Sequence, residues 1–300
     1  MKRKIIRIAD TTSAITIPKS WIDKNNIIKG NTIDIEEVNN NLIIKSNNEI
    51  IKKTEIDVSS LDEDLIWRFL ITSYRKGIDE LTVIFKTEEE SINVEKYVKD
   101  LIGWSITKFN KDTINVKELI SIENYKIDEL LEKSFLLVID LGNSTLEDIK
   151  NKDVKALRVI RHRDFVINRY INLALRLLNK YGYYEYAKTS SIYKIFTVLE
   201  EIGDEFNKIA LIYRKNPVTL KKDILNCFID LNNLIKGNYE LFYNFNKERL
   251  LKLHLDSEAL KEILINIDDN SMITGEITSG LKTILHLTKS LSEENMVLSL

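Results

Sequence analysis

The chain has 300 residues, with 44 basic and 46 acidic side chains. The resulting net charge of −2 does not indicate any class of binding partner. Average composition would give roughly 21 glycines and 15 prolines, whereas this chain has 9 and 2, which excludes long linker-like tracts. The single cysteine, Cys227, excludes an internal disulfide and a multi-cysteine zinc site. Without a signal-peptide core or an apolar run of membrane-spanning length, the sequence predicts a cytoplasmic protein.

The first fifty residues predict short strands, because β-branched runs alternate with turn residues. The four predicted strands span residues 4–9, 13–17, 32–38 and 41–46. Pro18 opens a short helix between the second and third strands, and Asn39 with Asn40 forms a turn between the last two. These few short elements bury too little surface to be stable alone, so we expect them to associate with a second copy.

The next segment alternates between helical and strand patterns. It predicts helices at 61–76 and 92–102, a strand at 81–85, and two antiparallel strands at 103–109 and 113–116. The segment has no glycine-rich phosphate loop and no catalytic signature.

From about residue 126 onward the apolar residues recur at a helical period. The six predicted helices span 125–147, 152–181, 186–214, 217–245, 247–267 and 272–293. Pro217 separates the third from the fourth, which predicts two three-helix bundles. The chain is therefore expected to be a mainly α, multi-domain protein with domains at 1–48, 49–122 and 123–300.

Catalytic chemistry usually needs a histidine or a nucleophile near a partner group. His162, His254 and His286 stand singly on predicted helices, and Cys227 lies among apolar residues. We therefore expect the protein not to be an enzyme.

Basic side chains are concentrated at the N-terminus. Such a cluster of positive charge is typical of proteins that bind the phosphates of nucleic acids. The candidate DNA-binding residues are Lys2, Arg3, Lys4, Arg7, Lys19 and Lys24. Only Asp10 and Asp23 oppose them within the first 30 residues. A solvated face of an apolar dimer is the alternative interpretation.

The same segment resembles the SpoVT/AbrB-type swapped-hairpin domains. The residues that carry the resemblance are Ile17, Pro18, Lys19 and Trp21, followed by Lys29, Gly30, Asn31 and Ile33. It implies an intertwined homodimer that places basic hairpin residues against DNA. Many members have Gly-Arg where this chain has Ser13 and Ala14, which leaves phosphate contacts rather than specific base contacts as the expected binding mode.

Two polar pairs on the predicted helices form a candidate metal site. Glu200 and Asp204 are one turn apart, and so are Asp164 and Asn168, with Asp164 interrupting an apolar row. A carboxylate in such a row is costly unless it is paired or binds a cation, and four oxygen ligands favour Mn, Fe or Mg. Ordinary solvated acidic pairs are the alternative.

The segments 199–210 and 163–175 resemble signatures of PhoU domains, which build two three-helix bundles and bind metal clusters. The resemblance implies a divalent or trivalent metal (Mn, Fe, Mg or Zn) at Asp164, Asn168, Glu200 and Asp204. In the second half, Glu258 and Glu262 could mimic one pair, but Glu276 has Gly280 one turn later, so we expect no second cluster.

Together the two resemblances point to archaeal regulators of phosphate uptake. They imply a homodimeric, DNA-binding transcriptional regulator linked to phosphate homeostasis. The alternative is a PhoU-type protein that binds a phosphate transporter component or its signalling kinase, with the N-terminal domain only dimerising. An antitoxin-like partner of a toxin would account for the first 50 residues alone.

Overall fold

A computed structural model describes residues 2–38, 40–46, 51–120, 122, 125–267 and 271–300. The chain forms two compact units, residues 1–53 and 54–300. In the described residues, no helix is long and apolar enough to cross a membrane.

The first unit consists of two hairpins and a short helix. Strands β1 (Ile6–Ala9) and β2 (Thr12–Ala14) pair antiparallel, with Ile6 opposite Ala14. Helix α1 (Lys19–Lys24) follows Pro18, and β3 (Asp34–Val38) then pairs antiparallel with β4 (Asn41–Lys45). The four predicted strands and the helix are confirmed, although residues 15–17 of the second predicted strand lie outside the ladder. Asn40 lies in the predicted turn, whereas Asn39 is outside the described residues.

The second unit begins with a small α+β module. Its elements are β5 (Lys53–Asp57), α2 (Glu63–Arg75), β6 (Glu80–Ile84), α3 (Glu88–Val98), β7 (Trp104–Phe109) and β8 (Thr113–Glu118). The sheet order is β5-β6-β8-β7, with β8 antiparallel to both of its neighbours. Strand β5 was not predicted.

The predicted bounds of α3 were wrong by about one turn. The helix begins after Thr87, whose side chain accepts a hydrogen bond from the Glu90 backbone, while the Glu90 carboxylate accepts one from the Thr87 backbone. This reciprocal cap fixes the start of the helix before its first apolar residue. The helix then ends before Gly103, whose positive φ of 89° starts the turn into β7.

Six long helices complete the second unit. They are α4 (Ile127–Lys150), α5 (Leu157–Tyr181), α6 (Thr189–Lys215), α7 (Lys222–Tyr243), α8 (Lys247–Ile265) and α9 (Met272–Ser299). Helices α4, α5 and α6 pack on one another, as do α7, α8 and α9, and the α6–α9 and α4–α7 contacts join the two sets around one continuous apolar core. All six predicted helices are present. The fourth starts later than predicted, because Pro217 lies in a non-helical segment that precedes it.

A buried arginine fixes the α+β module to the helices. The side chain of Arg176 on α5 is fully buried and forms ion pairs with Asp79 and Glu118. It also donates to the carbonyl oxygen of Tyr74 at 2.8 Å, and its guanidinium lies 5.7 Å from the ring centroid of Trp104. We refer to Arg176 and its two carboxylate partners as the Arg176 network.

Replacing Arg176 with alanine should lower the free energy of unfolding by about 3 kcal/mol or more, because Asp79 and Glu118 lose a fully buried cationic partner. Lys180 then provides the remaining ion pairs with these two carboxylates. Chemical denaturation checks this. The matched control is Arg68→Ala, which removes an exposed, solvent-screened ion pair with Asp64 and should change the free energy of unfolding far less. Equal losses for the two variants would contradict the importance of the Arg176 network.

Candidate functional site

The predicted DNA-binding residues lie on the surface of the first unit. Lys2, Arg3, Lys4, Arg7, Lys19 and Lys24 are all exposed. Arg7 is 3.2 Å from Asp10, but both side chains are so exposed that this ion pair contributes little stability. The cations are therefore accessible to a phosphate backbone.

The first unit has almost no interior of its own. Asn25 is the one buried residue in its described part, and no apolar side chain there is buried. Its exposed large apolar side chains are Ile5, Ile6, Ile8, Ile15, Ile28, Ile35, Leu42 and Ile51. A single copy leaves this apolar surface in water, which is unfavourable.

A polar cluster lies between α5 and α6. Asp164 on α5 is 5% exposed, and its Oδ2 accepts a hydrogen bond from Asn207 at 3.0 Å, whereas its Oδ1 has no hydrogen-bond partner among the described residues. Asn168, one turn later, donates to Asp204 at 3.4 Å, and its buried Oδ1 also has no partner in the part of the chain that the structure describes. The structure therefore brings these three predicted residues together and leaves two buried oxygens unsatisfied, which is costly.

Glycine at position 203 makes room for this arrangement. A β-carbon built there would lie 3.1 Å from Oδ1 of Asp164. A side chain at this point of α6 would press against the carboxylate, so Gly203 allows the two helices to approach across the cluster.

Glu200, the fourth predicted residue, has a partner that sequence reasoning missed. Arg75 at the end of α2 donates to Glu200 at 2.6 Å and to Asn172 at 2.7 Å. Its carbonyl oxygen accepts from Asn179 at 2.7 Å. Arg75 and Glu200 are 125 positions apart, so no local spacing pattern could have revealed this contact. We refer to Asp164, Asn168, Glu200, Asp204 and Arg75 together as the α5–α6 cluster.

Burial shifts the acidity of the cluster. Desolvation, with the nearby charge of Asp204, raises the pKa of Asp164 to about 7. Desolvation also raises the pKa values of Glu200 and Asp204, against the opposing effect of Arg75. The arrangement can thus take up a proton or another cation near neutral pH.

The geometry of metal ligation is incomplete in the described residues. They contain no group of three or more histidine, cysteine, aspartate or glutamate side chains placed to hold one ion. The Glu200 carboxylate is already bound by Arg75, which leaves oxygens of Asp164, Asn168 and Asp204 as the available donors. In the second half, Glu258 is bound by Lys289 at 2.6 Å.

The other chemically versatile side chains are not brought together. His162, His254 and His286 are exposed on three different helices. Cys227 is 1% exposed, and burial raises the pKa of its thiol to about 11. A thiol with so high a pKa is a poor nucleophile and packs as a small apolar residue.

Comparison with known proteins identifies only the N-terminal segment. Residues 6–52 match the family model described as antidote-toxin recognition MazE, bacterial antitoxin. The match coincides with the two hairpins and α1, and it supports the AbrB/SpoVT-like resemblance of this segment. No curated protein and no solved structure matches the chain.

The raised pKa of Asp164 predicts a pH-dependent stability. Because its pKa is 3.8 in an ordinary environment and about 7 in the fold, the folded chain binds the extra proton between these values. Stability should therefore decrease as pH rises from 3.8 to about 7 and level off above that value. Asp164→Asn, which cannot ionise, should be more stable than the parent above about 7, and this difference in stability should shrink steadily as pH falls towards 3.8.

Thermal unfolding in chelator-containing buffer measures this difference. Asp256→Asn, an exposed change on α8 outside the α5–α6 cluster, serves as the control. An Asp164→Asn variant with the parent's pH profile would show that Asp164 does not titrate in this range.

Proposed function

We propose that the protein is a homodimeric, DNA-binding transcriptional regulator. The observation that carries this proposal is the exposed basic surface of a segment that matches an AbrB/MazE-like family model. Lys and Arg contacts to phosphates supply affinity and orientation without reading sequence. Such a role needs no catalytic residue, and we include in the proposal that the protein is not an enzyme and acts in the cytoplasm.

The dimer follows from the surface that one copy leaves exposed. The exposed apolar residues Ile6, Ile8, Ile35 and Leu42 lie in two hairpins that form separate sheets in the described residues. Intertwining two copies would bury these side chains and bring two basic surfaces to one duplex. Doubling the phosphate contacts in this way strengthens binding without new specificity.

We further propose that the regulated process is phosphate uptake. Support comes from the two sets of three helices joined in one core and from the PhoU-like segments 163–175 and 199–210. The alternative remains a PhoU-type regulator that binds a phosphate transporter component or its kinase. A third candidate function is that of an antitoxin that binds a toxin, because the matched family is described as a bacterial antitoxin.

DNA binding can be tested by reversing two charges. Binding of the parent to duplex DNA should weaken steeply with salt, with a slope of about −0.9 in log K per phosphate bound. Arg3→Glu with Arg7→Glu should weaken binding at low salt at least tenfold and flatten the slope by about 1 for each phosphate that is no longer neutralised. Fluorescence anisotropy at several salt concentrations measures both quantities.

The matched control places the same charge change on the second unit. Lys215→Glu with Lys236→Glu alters two exposed lysines outside the basic surface and should leave binding nearly unchanged. No duplex binding by the parent at low salt would exclude the proposal. It would favour the transporter-binding alternative, whose complex should survive the Arg3 and Arg7 changes.

The α5–α6 cluster supports a second candidate function, the binding of a metal ion. The unsatisfied buried oxygens of Asp164 and Asn168 favour it, since both are acceptors without donors. Asp204 adds a carboxylate, and Glu200 would join if Arg75 released it. Oxygen donors favour a hard cation such as Mn, Fe or Mg over Zn, and a bound ion would let the helices respond to its concentration.

Titration calorimetry with Mn²⁺, Mg²⁺, Fe²⁺ and Zn²⁺ tests this function. Asp164→Asn with Asp204→Asn should reduce affinity at least tenfold, because it removes two anionic ligands. Glu258→Gln, outside the cluster, should leave affinity unchanged. If no ion binds the parent protein, or if all three proteins bind equally, the cluster is not a metal site.

A further inference from the structure

Helix α8 carries an apolar row on its outer surface. Leu251, Leu255, Ala259 and Ile263 follow one another at intervals of four residues, and all are exposed. Leu251 is 57%, Leu255 58% and Ile263 46% exposed. Residues four apart lie on the same face of a helix, so these side chains form one continuous ridge, which we call the α8 ridge.

The corresponding helix of the first three-helix set is covered. Helix α5, the middle helix of that set, packs against α2 of the α+β module as well as against α4 and α6. Helix α8, the middle helix of the second set, packs against α7 and α9 in the described part of the second unit. Buried Leu253, Leu260 and Leu264 make those contacts, and the α8 ridge lies apart from them.

Charge is distributed unevenly along α8. Residues 247–255 contain Lys247, Arg249 and Lys252 against Glu248, which is three positive charges minus one negative, or +2. Residues 256–265 contain Asp256, Glu258 and Glu262 against Lys261, or −2, although Glu258 is also paired with Lys289 of α9. A helix with this pattern is complementary to an antiparallel copy of itself, because each basic half then faces an acidic half.

We propose that the α8 ridge is a self-association surface that binds α8 of a second copy of this chain, antiparallel, around a two-fold axis that passes between Leu255 and Ala259. This axis places Leu251 opposite Ile263 and Leu255 opposite Ala259. It also brings Lys252 of one copy level with Glu262 of the other. Such an isologous contact closes on itself and limits assembly to a pair.

The size of the ridge indicates how strong this pairing is. Leu251 and Ile263 are 12 positions apart, so the ridge is about 18 Å long at about 1.5 Å per step, which is too short for a standard interface of about 800 Å² per partner. The pairing is therefore weak between free chains. It becomes favourable when the N-terminal dimer holds two copies together and raises their effective concentration, a step that rests on the proposed function.

Cross-linking of the full chain tests the pairing. Ala259→Cys places a thiol beside the proposed axis, whereas Asn233→Cys places one on the exposed surface of α7 as a control. The parent chain provides the blank, because Cys227 is buried. With a short bis-maleimide, Ala259→Cys should give at least tenfold more covalent dimer than Asn233→Cys, and adding Leu255→Glu should abolish the excess.

A charge exchange tests the antiparallel register. In the Ala259→Cys background, Lys252→Glu and Glu262→Lys should each reduce the covalent dimer several-fold, because each brings like charges together. The two changes combined should restore it, since the pair is then reversed. A parallel arrangement predicts no restoration, and that result would overturn the proposal.

Light scattering on the same samples separates this inference from the proposed N-terminal dimer. A chain that is dimeric but gives no excess cross-link at position 259 would overturn the α8 pairing and leave the N-terminal dimer intact. A cross-link that depends on Leu255 in a chain that does not bind DNA would support the α8 pairing and count against the proposed function. If the thiol at position 259 reacts with the maleimide but forms no covalent dimer, α8 faces solvent or another protein. That result also overturns the pairing.

Discussion

The packing of the second unit depends on the buried positive charge of Arg176. The guanidinium of Arg176 is fully buried, and such a charge is tolerated only where partners surround it. Its partners come from α2, β8 and the loop before β6, so this side chain of α5 connects the helices to both α2 and the sheet. A buried ion pair adds little net stability, but removing one partner leaves an unpaired charge in the core, which is strongly unfavourable.

That geometry also determines the α5–α6 cluster. Once α2 is fixed against α5, the arginine at its end reaches Glu200. The first unit is built differently, because its described part exposes apolar hairpins and buries no apolar side chain. The protein thus combines a unit that has almost no core with a unit that has a large one.

The sequence predicted those parts of the molecule that depend on short-range patterns. The helical period located α4 to α9, and the Pro18 and Gly30 spacing located the hairpin segment. Strand β5 was missed because its place in the sheet depends on pairing with a distant strand, and the start of α3 was missed because a cap decided it. The α5 and α6 members of the cluster were found from one-turn spacing, whereas Arg75 was not, because long-range docking brings it there.

The position of Arg75 has a consequence for any ligand of the cluster. A cation that requires Glu200 must compete with the guanidinium, so its binding would favour states in which α2 is released from that carboxylate. By thermodynamic reciprocity, any interaction that holds α2 in place lowers the affinity for the cation by the same factor. The α+β module and the helices would then be coupled through the carboxylate of Glu200, and the position of α2 would change when the cation binds.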